Sequence, residues 1–277
     1  MISALWSKLR HYLSSRPQQG LPFTMGVVGS LVVIIIWQGL LAQQHHYLQE
    51  LIDYQTHTTQ TELISELQNR VLGLERLARR WERAEGEMNR QDWELDITPY
   101  INNFPEFQAI AWVDPEFQVR WLVSLSQSPA FYRFDLTDNF QQQQTLEIAR
   151  DLRQTTISPI LHLSTTQKSF WVCVPLFINH QFDGFLVGVF APQTLFEKII
   201  KIPPGYEIKI RDGEQLIYNQ LSRELHPLNS SKLMEKKVSI DFYHRHWELT
   251  MIPHSIPLSE LESPWLNLVL IIGLISV

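Results

Sequence analysis

The stretch that decides the fold is SFWVCVPLFINHQFDGFLVGVF, residues 169–190. Ser169 to Ile178 and Phe182 to Phe190 are long runs of Val, Phe and Leu with a short polar turn around Asn179 to Gln181 between them, the pattern of a β-hairpin. Gly184 and Gly188 interrupt the second run, and glycine inside a strand marks a place where another part of the chain comes close. Cys173, the single cysteine, has only apolar neighbours in the run Phe170 to Phe177. It reads as a small buried hydrophobe with nothing beside it to lower its pKa.

Upstream of this hairpin, Phe107 to Val113 and Val119 to Leu125 are apolar and β-branched runs separated by Asp114-Pro115-Glu116-Phe117, a turn sequence, and predict a second hairpin. A helix is expected next, capped by Thr137 or Asp138 and continuing through Leu146, Ile148, Ala149 and Leu152. Ile157 to Leu163 is another strand candidate. Two strands, a helix and three strands make an antiparallel sheet with a helix on one face, an α+β arrangement of the PAS type. Downstream, a short helix over Gln193 to Ile200 leads through Pro203-Pro204-Gly205 into a smaller sheet. There Tyr206 to Ile210 and Gln215 to Asn219 flank the turn signal Asp212-Gly213, and Lys237 to Tyr243 pairs with His246 to Ile252. Pro253 to Pro264 is punctuated by proline.

The N-terminal third has a different period. No charged side chain occurs from Gly20 to Ala42, and a helix of that length covers the roughly 30 Å of a bilayer's hydrocarbon core, so a transmembrane helix is expected. Lys8, Arg10 and Arg16 precede it and no Lys or Arg follows until Arg70, which places the N-terminus in the cytoplasm. A cleaved signal peptide shows the same basic-then-apolar order, but this stretch is long and Leu40 disfavours a small-residue cleavage site. From Gln43 to Gln91 there is no proline. Leu48, Leu51, Ile52, Leu63, Ile64, Leu67, Val71, Leu74, Leu77, Ala78 and Trp81 recur at three- and four-residue steps, predicting one long amphipathic helix continuous with the span. Its polar middle, Gln55 to Gln60, suits a loosely paired stalk or a face packed on the domain that follows. Trp265 to Val277 is apolar throughout and too short to cross, and reads as the start of a second span. A hydrophobic tail anchor or a buried core helix would explain the same residues.

With 23 basic and 29 acidic residues the net charge is -6. No basic stripe is present to displace counterions, so a general nucleic-acid surface is excluded. His45-His46 and His244 with His246 are the only histidine pairs that suggest a metal, but they lack cysteine or carboxylate partners at fitting spacing, and no metal or cofactor is expected. No phosphate loop, nucleophile elbow, His-Glu-x-x-His or kinase signature occurs, so no catalytic residue is assigned.

In this order the chain resembles the CHASE-domain receptors, extracellular sensor modules of histidine kinases, diguanylate cyclases and adenylate cyclases that include the plant cytokinin receptors. The resemblance runs through Phe104-Pro105-Glu106-Phe107, Ala111-Trp112-Val113-Asp114, Val119-Arg120-Trp121, Ala149-Arg150, Thr156-Ile157-Ser158-Pro159, Val174-Pro175-Leu176-Phe177 and residues 184–190. It covers roughly residues 43 to 264. It implies a ligand-binding PAS-like subdomain over 96–200 and a smaller membrane-proximal one over 201–256. Around them lie a cytoplasmic segment 1–19, a span 20–42, a stalk 43–95, a linker 257–264 and a second span beginning at 265–277. The output domain, of histidine kinase or diguanylate cyclase type, would lie beyond this chain in the cytoplasm. The expected partners are an unidentified small molecule, the membrane and a second copy in a parallel homodimer through the stalk, with no nucleic acid. By spacing, the family's ligand carboxylate falls on Asp135 and a second polar contact on Thr156, with Trp112, Trp121, Phe131, Phe177 and Phe185 as lining. The chain departs from the plant receptors at most pocket positions, so the resemblance does not imply a cytokinin. The rival reading is a bitopic envelope protein whose β domain recruits other proteins through an exposed apolar patch.

Overall fold

The computed structural model describes residues 20–125, 140–162, 168–221 and 235–253. Helix α1 (Gly20–Arg83) runs unbroken for 64 residues, about 96 Å at 1.5 Å per residue. Among the described residues no helix is long and apolar enough to cross a membrane. The side chains at 20–24, 26, 27 and 41 lie outside the described residues. The helix ends where Glu85 and Gly86 turn left-handed and the Gly86 N–H reaches back to the Trp81 carbonyl at 3.3 Å, a C-terminal cap.

Sequence periodicity suggests that this helix continues through Gln91; instead a second one, α2 (Arg90–Asn103), begins there. The cause is local. Asn89 caps it by accepting the Asp92 N–H at 2.9 Å, and Trp93, Ile97 and Ile101, one per turn, are buried.

Strands β1 (Phe107–Val113), β2 (Val119–Ser124), β3 (Thr156–Ile157), β4 (Leu161–His162), β5 (Lys168–Ile178) and β6 (Gln181–Phe190) form one antiparallel sheet in the order β2-β1-β6-β5-β3, with β4 also on β5. Helix α3 (Phe140–Leu152) follows β2. The expected cap residues Thr137 and Asp138 lie outside the described residues, as does the 265–277 segment. The single strand predicted over 157–163 is split into β3 and β4. Pro159 has no N–H for a ladder, and the Ser158 hydroxyl takes the Trp171 N–H at 2.8 Å instead.

Helix α4 (Pro192–Ile199), with proline in its first turn, leads to a second sheet of β7 (Tyr206–Asp212), β8 (Gln215–Leu221), β9 (Lys236–Phe242) and β10 (Arg245–Pro253), ordered β8-β7-β10-β9. Asn179 and His180 in the β5–β6 turn, and Tyr243 and His244 in the β9–β10 turn, all have positive φ, the geometry that matches hairpin twist. His244 therefore stands in a turn, not on a strand face beside His246. It contacts Gln154 at 3.3 Å, while His246 pairs with Asp241.

The result is α+β: a long helix and two antiparallel sheets. Ile52, Leu63, Leu67, Val71, Leu74, Leu77, Ala78 and Trp81 of α1 belong to one buried core with residues of both sheets. The apolar stripe read as a possible stalk seam is thus covered by the chain's own strands from Ile52 onward. Asp53 pairs with Lys236 at 2.8 Å and Gln60 donates to the Ser239 carbonyl at 2.7 Å, fixing the helix along the second sheet.

Candidate functional site

The larger sheet has two unlike faces. Phe107, Ile110, Phe170, Val172, Val174, Leu176, Leu186 and Phe190 point toward α1 and α2. On the other side lie Ala109, Ala111, Val113, Trp171, Cys173, Phe185, Val187 and Val189, with Leu146 and Ala149 of α3 against them. A register shift between Phe107 and Ala109 puts Phe107 and Ile110 on one face although three residues separate them, as a β-bulge requires.

This second face has a floor of small side chains, Ala109, Ala111 and Cys173, all fully buried. An aromatic row borders it. Ring centroids run Phe117 to Phe185 at 5.5 Å, Phe185 to Phe182 at 4.9 Å and Phe182 to Phe177 at 5.7 Å. Two guanidiniums from the end of α3 cap the row, Arg150 5.7 Å from the Phe117 centroid and Arg153 4.7 Å from that of Phe177. Such cation–π contacts hold positive charge at the border of an apolar surface. Burial pushes the Cys173 thiol well up, so it is an inert wall group.

Polar groups enter from β3 and the β1–β2 turn. Thr156 is buried and sits opposite Cys173 in the β3–β5 ladder, which places it on the same face as that thiol. Asp114 is buried, accepts the Gln118 N–H at 2.8 Å and pairs with Arg120, locking the turn. Gly184, at φ +113°, lies under it. A Cβ there would come within 2.1 Å of the Val113 carbonyl oxygen, so only glycine lets β6 pass the end of β1.

Three hydrogen bonds tie the border of this face to the last turns of α1. Thr155 donates to Glu75 at 2.8 Å, the Phe177 N–H to Glu82 at 3.0 Å, and the Trp81 indole N–H to Asp183 at 2.7 Å. Between them, Gly188 lets Leu74 lie against β6, since an added Cβ would be 2.6 Å from the Leu74 Cδ1.

Thr156, Phe177 and Phe185 therefore share one face. Trp112 and Trp121 do not. They stack with Trp81 and Trp93 at centroid distances of 4.9 to 5.8 Å against the helix-side core, so they wall the helices and not the small-residue floor. Asp135 and Phe131 lie outside the described residues, in the 126–139 segment that connects β2 to α3. Ala111 and Arg150 stand in the stretches that carry the resemblance but were not assigned to the site, and Ala109 and Arg153 were not singled out in the sequence. The alternation of small with large residues along β1 was the available signal for Ala109 and Ala111.

A family model described as the CHASE domain matches residues 69–221, more than half of the chain. Solved structures share the fold at low identity. The ligand-binding domain of the Pseudomonas aeruginosa amino acid chemoreceptor PctB, in complex with L-Arg, is 14% identical with a TM-score of 0.55, covering 75% of this chain and 95% of that one. That of the Pseudomonas fluorescens chemoreceptor CtaA, in complex with L-serine, is 11% identical with a TM-score of 0.56, covering 76% and 98%. An extracellular ligand binding receptor from Desulfohalobium retbaense is 13% identical with a TM-score of 0.52, and the match covers 72% of this chain but only 39% of that one. No curated protein matches the chain.

Proposed function

Because this chain belongs to the CHASE-domain family, we propose that it is the extracytoplasmic sensory module of a transmembrane receptor, binding a small ligand on the small-residue face of its larger sheet. The observation that carries this reading is the floor of Ala109, Ala111 and Cys173, bordered by Phe117, Phe177, Phe182 and Phe185 and hydrogen-bonded at its edge to α1. Apolar walls with a few fixed polar groups are what a small-molecule site needs. Thr156 supplies one such group. In this reading Asp135 supplies the acceptor for a ligand ammonium or N–H, and Phe131 is a further lining residue. Neighbours of this fold bind L-Arg and L-serine, and an amino acid or related amine is the first class to test.

In this reading residues 20–42 cross the bilayer with the N-terminus in the cytoplasm, residues 43–264 lie outside, and 265–277 begin a second crossing toward an output domain, a kinase or cyclase. Ligand on the Thr156 face pulls on Thr155 and so on Glu75, moving α1 by the angstrom or two that suffices at signalling interfaces. Because the inner stripe of α1 is used within the chain, a parallel dimer would pair through the outward side chains, where Tyr54 and Leu72 are exposed.

The test is thermal unfolding of the full chain with each of the twenty L-amino acids and simple amines. A ligand at about a hundred times its Kd adds about 2.7 kcal/mol, a rise of several degrees. No shift with any compound, or an equal shift in Thr156→Val and Asp135→Ala, would sink the assignment. Reporter fusions at Lys8 and after Ser255 test the topology, and activity of both on one side of the membrane would overturn it.

A further inference from the structure

On the far side of the sheet from the proposed ligand face, α1 and α2 splay to leave a cleft of about 300 Å³, lined by Asn69, Arg70, Gly73, Arg76, Tyr100 and Phe104, with Phe107 at its base. Its lining has two guanidiniums and no carboxylate. Arg70 is already committed to Glu106 at 3.1 Å and to Glu66. Arg76 is different: among the described residues it has no carboxylate within ion-pair distance, although Arg79 and Arg80 on the next turn pair with Glu75 and Asp96 at 3.6 and 2.7 Å. The neighbouring hollow between the same helices, lined by Arg80, Glu87, Asp92 and Asp96, is acidic and its arginine is satisfied. Of these two hollows, only the first is lined by a guanidinium with no carboxylate in ion-pair range.

The apolar half of the cleft is aromatic. Tyr100 and Phe104 lie 6.3 Å apart and Phe104 and Phe107 6.4 Å apart. Gly73 leaves the helix side open, the Tyr100 ring being the first atom group a side chain there would meet, at 3.4 Å. An unpaired guanidinium beside a flat aromatic wall, in a volume at the low end of small-molecule sites, selects a planar anion that can take a forked pair of N–H bonds at one end and lie on rings at the other.

We propose that this cleft is a second binding site, for a small monocarboxylate with an apolar body. The carboxylate meets Arg76, with the Asn69 and Asn103 amides at its edge, and the body lies on Tyr100 and Phe104. Since α2 joins β1 and the cleft wall is α1 itself, occupancy here would bear on the same helix as the sheet-face ligand, from the opposite side.

The probe is 4-fluorobenzoate, followed by ¹⁹F NMR line broadening on the full chain, with neutral 4-fluorobenzamide as control. Binding of the acid in the millimolar range or tighter is expected, with at least tenfold preference over the amide. Arg76→Gln should weaken it about tenfold or more, the loss of one charged hydrogen-bonding group. Gly73→Leu should abolish it by filling the cleft. Both positions face solvent or the cleft, and an unchanged melting temperature shows that each variant is folded. Absence of binding by the acid, equal binding of acid and amide, or wild-type affinity in both variants overturns the proposal.

Discussion

The two faces of the larger sheet differ in the size of what they bury. Toward the helices stand Phe107, Trp112, Trp121, Phe170 and Phe190, with Trp81 and Trp93 packed on them. On the opposite face the middle of the sheet is Ala109, Ala111 and Cys173. Around the tryptophans the helix side is closed: the hollow among Trp81, Trp93 and Trp112 holds only about 10 Å³, at most the room of a single water. Large rings interlocked at native density make a rigid joint between sheet and helix. The small floor is covered by Leu146 and Ala149 of α3 and not by interlocked rings, so this face closes through one short helix, and that is the difference between the two sides.

That contrast can be broken most severely at its pivot. Gly184→Val adds strain at positive φ to a collision with the Val113 carbonyl, costing roughly 2–6 kcal/mol by summing backbone strain and overpacking. A large fraction of unfolded chain at 37 °C is expected by circular dichroism. Next, Trp112→Ala opens the closed face and should cost about 3–5 kcal/mol, read as a fall in the urea midpoint, without changing the affinity of whatever molecule binds the other face. Ala111→Leu reverses the pattern. It should cost only about 1–3 kcal/mol yet eliminate ligand-induced stabilisation, and a Leu variant that still responds to ligand would show that the floor is not the site.

Sequence periodicity revealed much of this architecture and misjudged one part of it instructively. The central hairpin, both sheets and the long helix follow from runs of β-branched and aromatic residues and from three- and four-residue steps, because those patterns report burial directly. Trp112 and Trp121 were legible as inward-facing but not as to which face, since the bulge beside Phe107 shifts the register of β1 and Trp121 takes its face from its place opposite Trp112 in the β1–β2 ladder. Helix α2 was hidden by Pro99, which sits inside it where proline ordinarily ends a helix. The hydrogen bonds of Glu75, Glu82 and Asp183 join positions 80 to 102 residues apart, and no local pattern encodes them.

The smallest expected effect tests whether the second sheet takes part in the same linkage. Burial pushes the Tyr243 phenol up, with the nearby Glu75 charge and a hydrogen bond to it adding to the shift. Glu75 also holds Thr155, so one carboxylate on α1 touches the sheet-face border and the β9–β10 turn together. A phenol whose folded pKa is raised stabilises the protein fully below the unfolded value near 10 and loses that contribution as pH climbs through the folded value. Tyr243→Phe should therefore cost about 0.5–1.5 kcal/mol at pH 8, the worth of one hydrogen bond, and should flatten the decline in urea midpoint between pH 9 and pH 11. If instead the variant declines as steeply as the wild type, Tyr243 is not the titrating group. The turn would then be held to the α3–β3 segment by the Ile157 N–H to Tyr243 carbonyl bond at 3.4 Å and the His244 to Gln154 contact, and would reach α1 only through the Thr155 to Glu75 bond.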